Sequence, residues 1–394
     1  MIESKNEKKF EFKRILKQVI FKFKKCHIIL IILYVLAIYL NNKNQNENEI
    51  DNLENYKVLC ENKISLKTKF KKVENPKISI ISAVYNRSKY IFRFLRSIQN
   101  QFFNDIEIIF VDDFSNDDSV EFIKKLQKYD ERIILIMNNE NKGTLISRNE
   151  AVLKSKGEYL IFPDPDDLLS IDILKYCYDK SKKNNYEIVR FNLYYGEKKQ
   201  TLDVVKRIKI NQIYQPLLSF YNFYSKGYLE QTDFIISNKL IKRNLYIKSI
   251  NSIPNYYLNQ NMIIYEDGLI NFMLHKFAKS LYHSKKIGYY YIQSNQSISL
   301  NLQKDIEKTI KNCYLYLKYI FEQTKNNEFE KKIALCVFNN VHSEISDLKN
   351  FEKITKDFHF YYNIINLYVN SKFIPSSYKT KMFKILKIIK KKIY

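Results

Sequence analysis

PKISIISAVYNRSKYIFRFLRSIQNQFFNDIEIIFVDD, residues 76 to 113, is the stretch that decides how this chain folds. Lys77–Val84 is a short β-branched run that reads as a strand and ends in Tyr85-Asn86. Tyr90, Ile91, Phe94, Leu95 and Ile98 then recur with the spacing of one helical face. Ile106–Val111 is a second strand, stopped by Asp112-Asp113. Further along, strands are expected over Ile133–Met137, Tyr159–Phe162 and Glu187–Leu193, and helices over Val120–Leu126 and Ile146–Leu153. This alternation predicts an α/β fold, a mostly parallel sheet covered by helices on both faces. Ligands of such sheets sit beyond the carboxyl ends of the strands.

Two of these strands end in acids. FVDDFSNDDS carries Asp112 and Asp113, and IFPDPDDLL carries Asp164, Asp166 and Asp167. In a parallel sheet all five leave on one edge, where they repel one another and raise their own pKa values. A divalent cation relieves that repulsion, and hard oxygen ligands suit Mn²⁺ or Mg²⁺. Pro163 and Pro165 stiffen the second loop, whereas Asp117 and Asp118 read as turn residues. Arg148, which follows Asn141-Lys142-Gly143, reads either as a phosphate clamp or as a solvated helix arginine.

Taken in order, ISIISAVYN (78–86), SIQNQ (97–101), IEIIFVDDFSNDDS (106–119), NKGTLISRNEAV (141–152), KGEYLIFPDPDD (156–167), NKLIKR (238–243) and YEDGLINFML (265–274) resemble the family 2 glycosyltransferases. The resemblance spans roughly residues 76–300. It implies the GT-A fold and an inverting, metal-dependent transfer from a nucleotide-sugar, a UDP-sugar first of all, to a hydroxyl. It places Tyr85 against the nucleotide base, with Ala83 and Asn86 beside it. Asp113, preceded by Asp112, matches the acid that reads the base, and Arg148 the arginine near the diphosphate. Asp164 and Asp166 match the D-x-D pair, Asp166 on the metal and Asp164 near the ribose. Asp267 matches the catalytic base, with Glu266 as its neighbour. Such a base is needed because a hydroxyl is a poor nucleophile until its proton is taken. The chain departs from the family pattern at Ala83, where Pro is usual, at Phe114, where Gly is commoner, and at Glu150, where Gly often stands. Rival readings are a nucleotidyltransferase, which would prefer a Gly-rich, Lys-bearing loop after the first strand, and a nucleotide- or glycan-binding membrane protein with lapsed catalysis.

The remaining signals concern placement. The 394 residues carry a net charge of +24, with nine Lys/Arg and three Glu in residues 1–25 and seven Lys after residue 378. Cations gathered at the two tips argue against nucleic acid as the partner and for a membrane surface. The apolar run Cys26–Leu40 follows the N-terminal cluster and precedes an acidic, Asn-rich stretch, the pattern of a type II signal-anchor. The expected organisation is a basic cytosolic tail (1–25), an anchor (26–40), a stem (41–75), a catalytic domain (76–300) and a helical C-terminal region (301–394). The expected setting is the endoplasmic reticulum or Golgi, with the domain lumenal. A dilysine-like end (391–394) conflicts with that topology. The acceptor could be a glycan, a lipid or a protein. His275 and His283 read as packing or surface histidines, and Tyr289–Tyr291 as a strand. Asn86-Arg87-Ser88 and Asn295-Gln296-Ser297 match N-glycosylation sequons. The five scattered cysteines form neither a disulfide framework nor a thiolate zinc site.

Overall fold

The computed structural model describes residues 69–196, 212–214, 216, 220, 235–260, 262, 264–292, 306–324 and scattered positions from 329 to 341. The expected anchor, most of the stem, the second sequon and the dilysine-like end lie outside the described residues.

The expected alternation is present. Strand β1 (Ile78–Val84) leads to α1 (Ser88–Gln99), β2 (Ile106–Asp112), α2 (Ser119–Gln127), β3 (Ile133–Met137), α3 (Thr144–Lys154) and β4 (Tyr159–Ile161). β3, β2, β1 and β4 lie side by side and parallel. Within β1, Ile80 faces the core beneath α1 and Ile81 the core on the other side, as the two-residue strand period requires. Residues buried on both faces explain why these strands read as near-continuous apolar runs. α1 turns Ile91, Phe94, Leu95 and Ile98 inward, all at most 1% exposed, each stabilising by about 1.5–3 kcal/mol.

Beyond β4 the sheet departs from the parallel pattern. After β5 (Leu168–Leu169) and α4 (Ile173–Asn184) comes β6 (Ile188–Gly196), the strand expected at Glu187–Leu193. It does not pair with β4. Between them lies β8 (Lys239–Lys242), antiparallel to both. An antiparallel neighbour needs no crossover helix, so a four-residue segment carrying Lys at both ends fills the place between β4 and β6. The long β9 (Leu281–Ile292) runs parallel to β6 and pairs with β5 and β7 (Gln212–Tyr214), completing nine strands.

α5 (Arg243–Asn251), α6 (Asn255–Leu258) and α7 (Glu266–Phe277) pack with α3 on one face. Within the C-terminal region expected to be helical from residue 301, α8 (Ile306–Gln323) joins that same core. The rings of Tyr316 and Tyr265 stack there at 5.0 Å, and the Tyr257 hydroxyl donates to Glu322 at 2.6 Å. At the other end of the sheet Phe70, which the sequence left in the stem, bridges to Asp130 and lies under the Arg132 guanidinium at 4.0 Å. Gly157 is tight against β1: a Cβ there would meet the Ser79 nitrogen at 2.4 Å. That approach lets its N–H reach Ser79 Oγ and Glu107 and pins the start of β4 beside β1.

A candidate active site at the carboxyl edge of the sheet

Because β1, β2 and β4 are parallel, the segments that follow them emerge on one edge. These carry Tyr85–Arg87, Asp112–Asp113 and Asp164–Asp167. Asp267 arrives from the first turn of α7, where the helix dipole favours an acid. The residue before it, Tyr265, has φ 64°, a left-handed conformation costly for an aromatic side chain, and its stacking on Tyr316 holds it there.

Arg148 is the centre of the arrangement. Its Nη1 donates to Asp267 Oδ1 and its Nη2 to Asp164 Oδ1, each at 2.8 Å. The side chain is 4% exposed. Burial works against its charge, but Asp267 and Asp164 outweigh burial and raise its pKa. One guanidinium thus joins the D-x-D loop to an acid 119 positions further along. Both Nη groups face the chain's own carboxylates, so Arg148 braces the two acids.

Asp113 is likewise engaged within the fold. Its Oδ1 accepts from Asn138 Nδ2 and the Lys142 N–H, and its Oδ2 from the Gly143 N–H, all at 2.9 Å. Gly143 has φ 86° and caps α3, so Asp113 sets the entry of the helix that carries Arg148. Asp112 is buried and accepts from the Ser115 N–H. Tyr85 stands 46% exposed at the end of β1, open to stack on a planar ligand, and Ala83 is half-buried beneath it. Asn86 uses its amide oxygen to hold the Asn116 N–H at 2.9 Å, so the first sequon's side chain serves the turn. Phe114 adopts φ 69° and is 56% exposed. Glycine is commoner at that position because it takes this conformation freely, whereas a side chain costs about 1–2 kcal/mol.

Two cations escaped the sequence reading. Arg87 Nε lies 3.4 Å from Asp166 Oδ2, and Arg93 Nη2 donates to the Asp166 carbonyl at 2.7 Å. Arg87 follows β1 and Arg93 lies one and a half turns along α1, so only the fold brings them to the D-x-D loop. Asp167 turns inward, accepting from the Tyr289 hydroxyl at 2.6 Å and the Ile292 N–H at 2.7 Å. It ties the loop to β9 and is a structural member of the acid group. Partial withdrawal from water raises the Asp164 carboxyl, whose side chain stays 41% exposed, and Asp166 and Asp267 add to the rise. Burial also raises Asp166 and Asp167.

Glu266 lines a cleft with Lys142, Leu145, Ile146, Tyr257 and Met262. Burial, reinforced by the Asp267 charge, pushes its carboxyl up to about 8. A carboxyl raised on folding adds stability that is full below the ordinary value near 4.5 and lost as pH rises through about 8. Glu266→Gln is therefore expected to flatten the fall in unfolding free energy between those pH values. At pH 8 it should exceed the parent by more than about 1.4 kcal/mol, one pK unit's worth. Urea melts at a series of pH values check this, and parallel profiles for the two proteins would refute it.

The comparisons with known proteins bear on this geometry. Residues 79–250 match the family described as Glycosyl transferase family 2. That stretch, less than half of the 394 residues, is similar to the family. The cholesterol galactosyltransferase of Borreliella burgdorferi is 25% identical to the chain over 343 residues, covering 81% of this chain and 84% of its own. The GalNAc(5)-diNAcBac-PP-undecaprenol beta-1,3-glucosyltransferase of Campylobacter jejuni is 25% identical over 288 residues, covering 69% and 90%. Among solved structures, S. aureus TarS 1-349 in complex with UDP-GlcNAc superposes with a TM-score of 0.61 at 17% identity. That superposition covers 80% of this chain and 88% of the other, a likeness of fold.

The family match ends before α7, and the acids of α7 reach the D-x-D loop through Arg148. No helix among the described residues is long and apolar enough to cross a membrane. The relatives named are bacterial, and bacteria lack an endoplasmic reticulum and a Golgi, so they lend no support to the lumenal placement expected from the sequence.

Proposed function

We propose that the glycosyltransferase domain moves a sugar from a nucleotide-sugar, with UDP as the nucleotide, to an acceptor hydroxyl, inverting the anomeric carbon. The observation that carries this reading is the Arg148 bridge between Asp164 and Asp267, which brings the donor-side loop and an acid suited to deprotonate the acceptor to one guanidinium. Cholesterol and an undecaprenol-linked glycan, named for two relatives, favour a lipid-borne acceptor over a protein.

The chain's own groups divide the work. Tyr85 stacks on the base. Asp164 and Asp166 supply hard oxygen donors whose mutual repulsion and burial suit a divalent cation, and Mn²⁺ or Mg²⁺ fits them. No three His, Cys, Asp or Glu side chains among the described residues form a cage, so Asp164 and Asp166 would hold the ion with oxygens of the donor and water. Bound there, the ion stabilises the charge that builds on the leaving diphosphate. Arg87, released from Asp166, adds a second cation at that end. Asp267 takes the acceptor proton as the new bond forms on the opposite face of the sugar. Its two oxygens are oriented by Arg148 Nη1 and by the Ile236 N–H, at 2.8 and 3.1 Å.

UDP release by the full chain, measured across a panel of UDP-sugars in Mn²⁺ and in EDTA, tests the proposal. Turnover of one donor that EDTA abolishes is expected. Tight UDP binding with no donor consumed would favour a binding protein instead. Asp166→Ala is expected to weaken UDP binding in Mn²⁺ by tenfold or more, about 1.4 kcal/mol, and to leave binding in EDTA unchanged. Titration calorimetry reads both values, and equal Mn²⁺ affinity in parent and variant would remove Asp166 from the ligand set.

A further inference from the structure

The Lys239 side chain is fully buried, 0% exposed, on β8. Its Nζ donates to the Ile235 carbonyl and, at 3.3 Å, to Asn238 Oδ1. The Ile235 carbonyl and the Ile236 N–H belong to a single peptide unit. In a trans peptide the two point in opposite directions, and the described backbone contains no cis bonds. The Ile236 N–H in turn donates to Asp267 Oδ2 at 3.1 Å. Ammonium, amide and carboxylate therefore form one continuous line: Lys239 Nζ, the 235–236 peptide, Asp267.

We propose that Lys239 is a positioning residue for the transfer, acting on Asp267 through the 235–236 peptide. Hydrogen bonds in series polarise one another, and a cation at the carbonyl end makes the far N–H a stronger donor. A stronger N–H holds Oδ2 more firmly while Arg148 holds Oδ1, so the carboxylate keeps one orientation toward the acceptor. Arg148, Asp164, Glu266 and Tyr246 face Asp267 from α3, the D-x-D loop, α7 and α5. Arg190 on β6 pairs in register with both Lys239 on β8 and His283 on β9, and its Nη1 lies 3.2 Å from His283 Nδ1. The inference rests on Asp267 being the base.

The experiment uses the full chain with its preferred UDP-sugar. Lys239→Met is expected to lower kcat about thirtyfold, with donor KM within about twofold, because a hydrogen bond to a charged group is lost only where the carboxylate acts. Lys239→Arg, which keeps the cation, should recover most of the turnover. In an Asp267→Asn background, Lys239→Met should change the residual turnover by less than about twofold. Should the Met variant not fold, Lys239→Gln deletes the charge while keeping an amide donor, and a fall in kcat of about fivefold or more at unchanged donor KM is expected. Parental kcat in the neutral variant, or an equal loss with and without Asp267, would overturn the inference. Normal turnover in Asp267→Asn alone would instead retire Asp267 as the base, so the two failures are distinguishable.

Discussion

Asp267→Asn is expected to lower sugar transfer by about a thousandfold while leaving UDP affinity within about twofold. Removal of a positioned general base costs about 10²–10⁴ in rate. The donor-side groups, Tyr85, Asp164 and Asp166, are untouched by the change. An asparagine keeps one acceptor oxygen, so it satisfies either Arg148 Nη1 or the Ile236 N–H but sets its own NH₂ against the other. A loss of about 1–3 kcal/mol in stability accompanies that mismatch, small enough for the variant to remain folded. Single-turnover transfer and UDP titration, made on the same preparation, read the two effects separately. Turnover near the parental rate would move the base elsewhere, with Glu266 the first alternative.

Arg148→Met should produce the largest loss of stability, about 3–5 kcal/mol, because it leaves two carboxylates facing one another without their shared cation. The lower end of that range is the better expectation. The Asp164 carboxyl is 41% exposed and can regain water, whereas the Asp267 carboxyl is 17% exposed and cannot do so fully. The penalty has a definite pH dependence. Without Arg148 the Asp164 carboxyl holds its proton to higher pH than it does beside it, so acidification relieves the repulsion and the deficit shrinks toward pH 5. Thermal melts at pH 5 and pH 8 check the sign. An equal deficit at both pH values would show that packing, rather than charge, makes Arg148 indispensable.

The sheet was legible because its signals are local. Ile78–Val84 and Ile106–Asp112 are β-branched runs, α1 shows its buried face at Ile91, Phe94, Leu95 and Ile98, and the acids follow their strands directly. β8 was illegible as a strand, since four residues bearing Lys239 and Lys242 carry no periodicity and acquire their role only from the open position between β4 and β6. Phe70 was assigned to the stem for a similar reason. A single aromatic in a Lys-rich stretch shows nothing until Arg132 stands over it.

Sequence by itself determined which acids stand at the strand ends and that they share one edge, because strand direction follows from the alternation of strand and helix. It also singled out Arg148 and Asp267 through their resemblance to a family pattern. Only the tertiary structure decided what each group faces. It set Arg148 against Asp164 and Asp267, Asp113 against the Lys142-Gly143 turn, Asp167 against Tyr289, and Lys239 behind the peptide that meets Asp267. The reason is physical: residue type and local period fix where a side chain leaves the backbone, whereas its partners come from elements a hundred positions away. Burial among those partners then sets the charge it can hold.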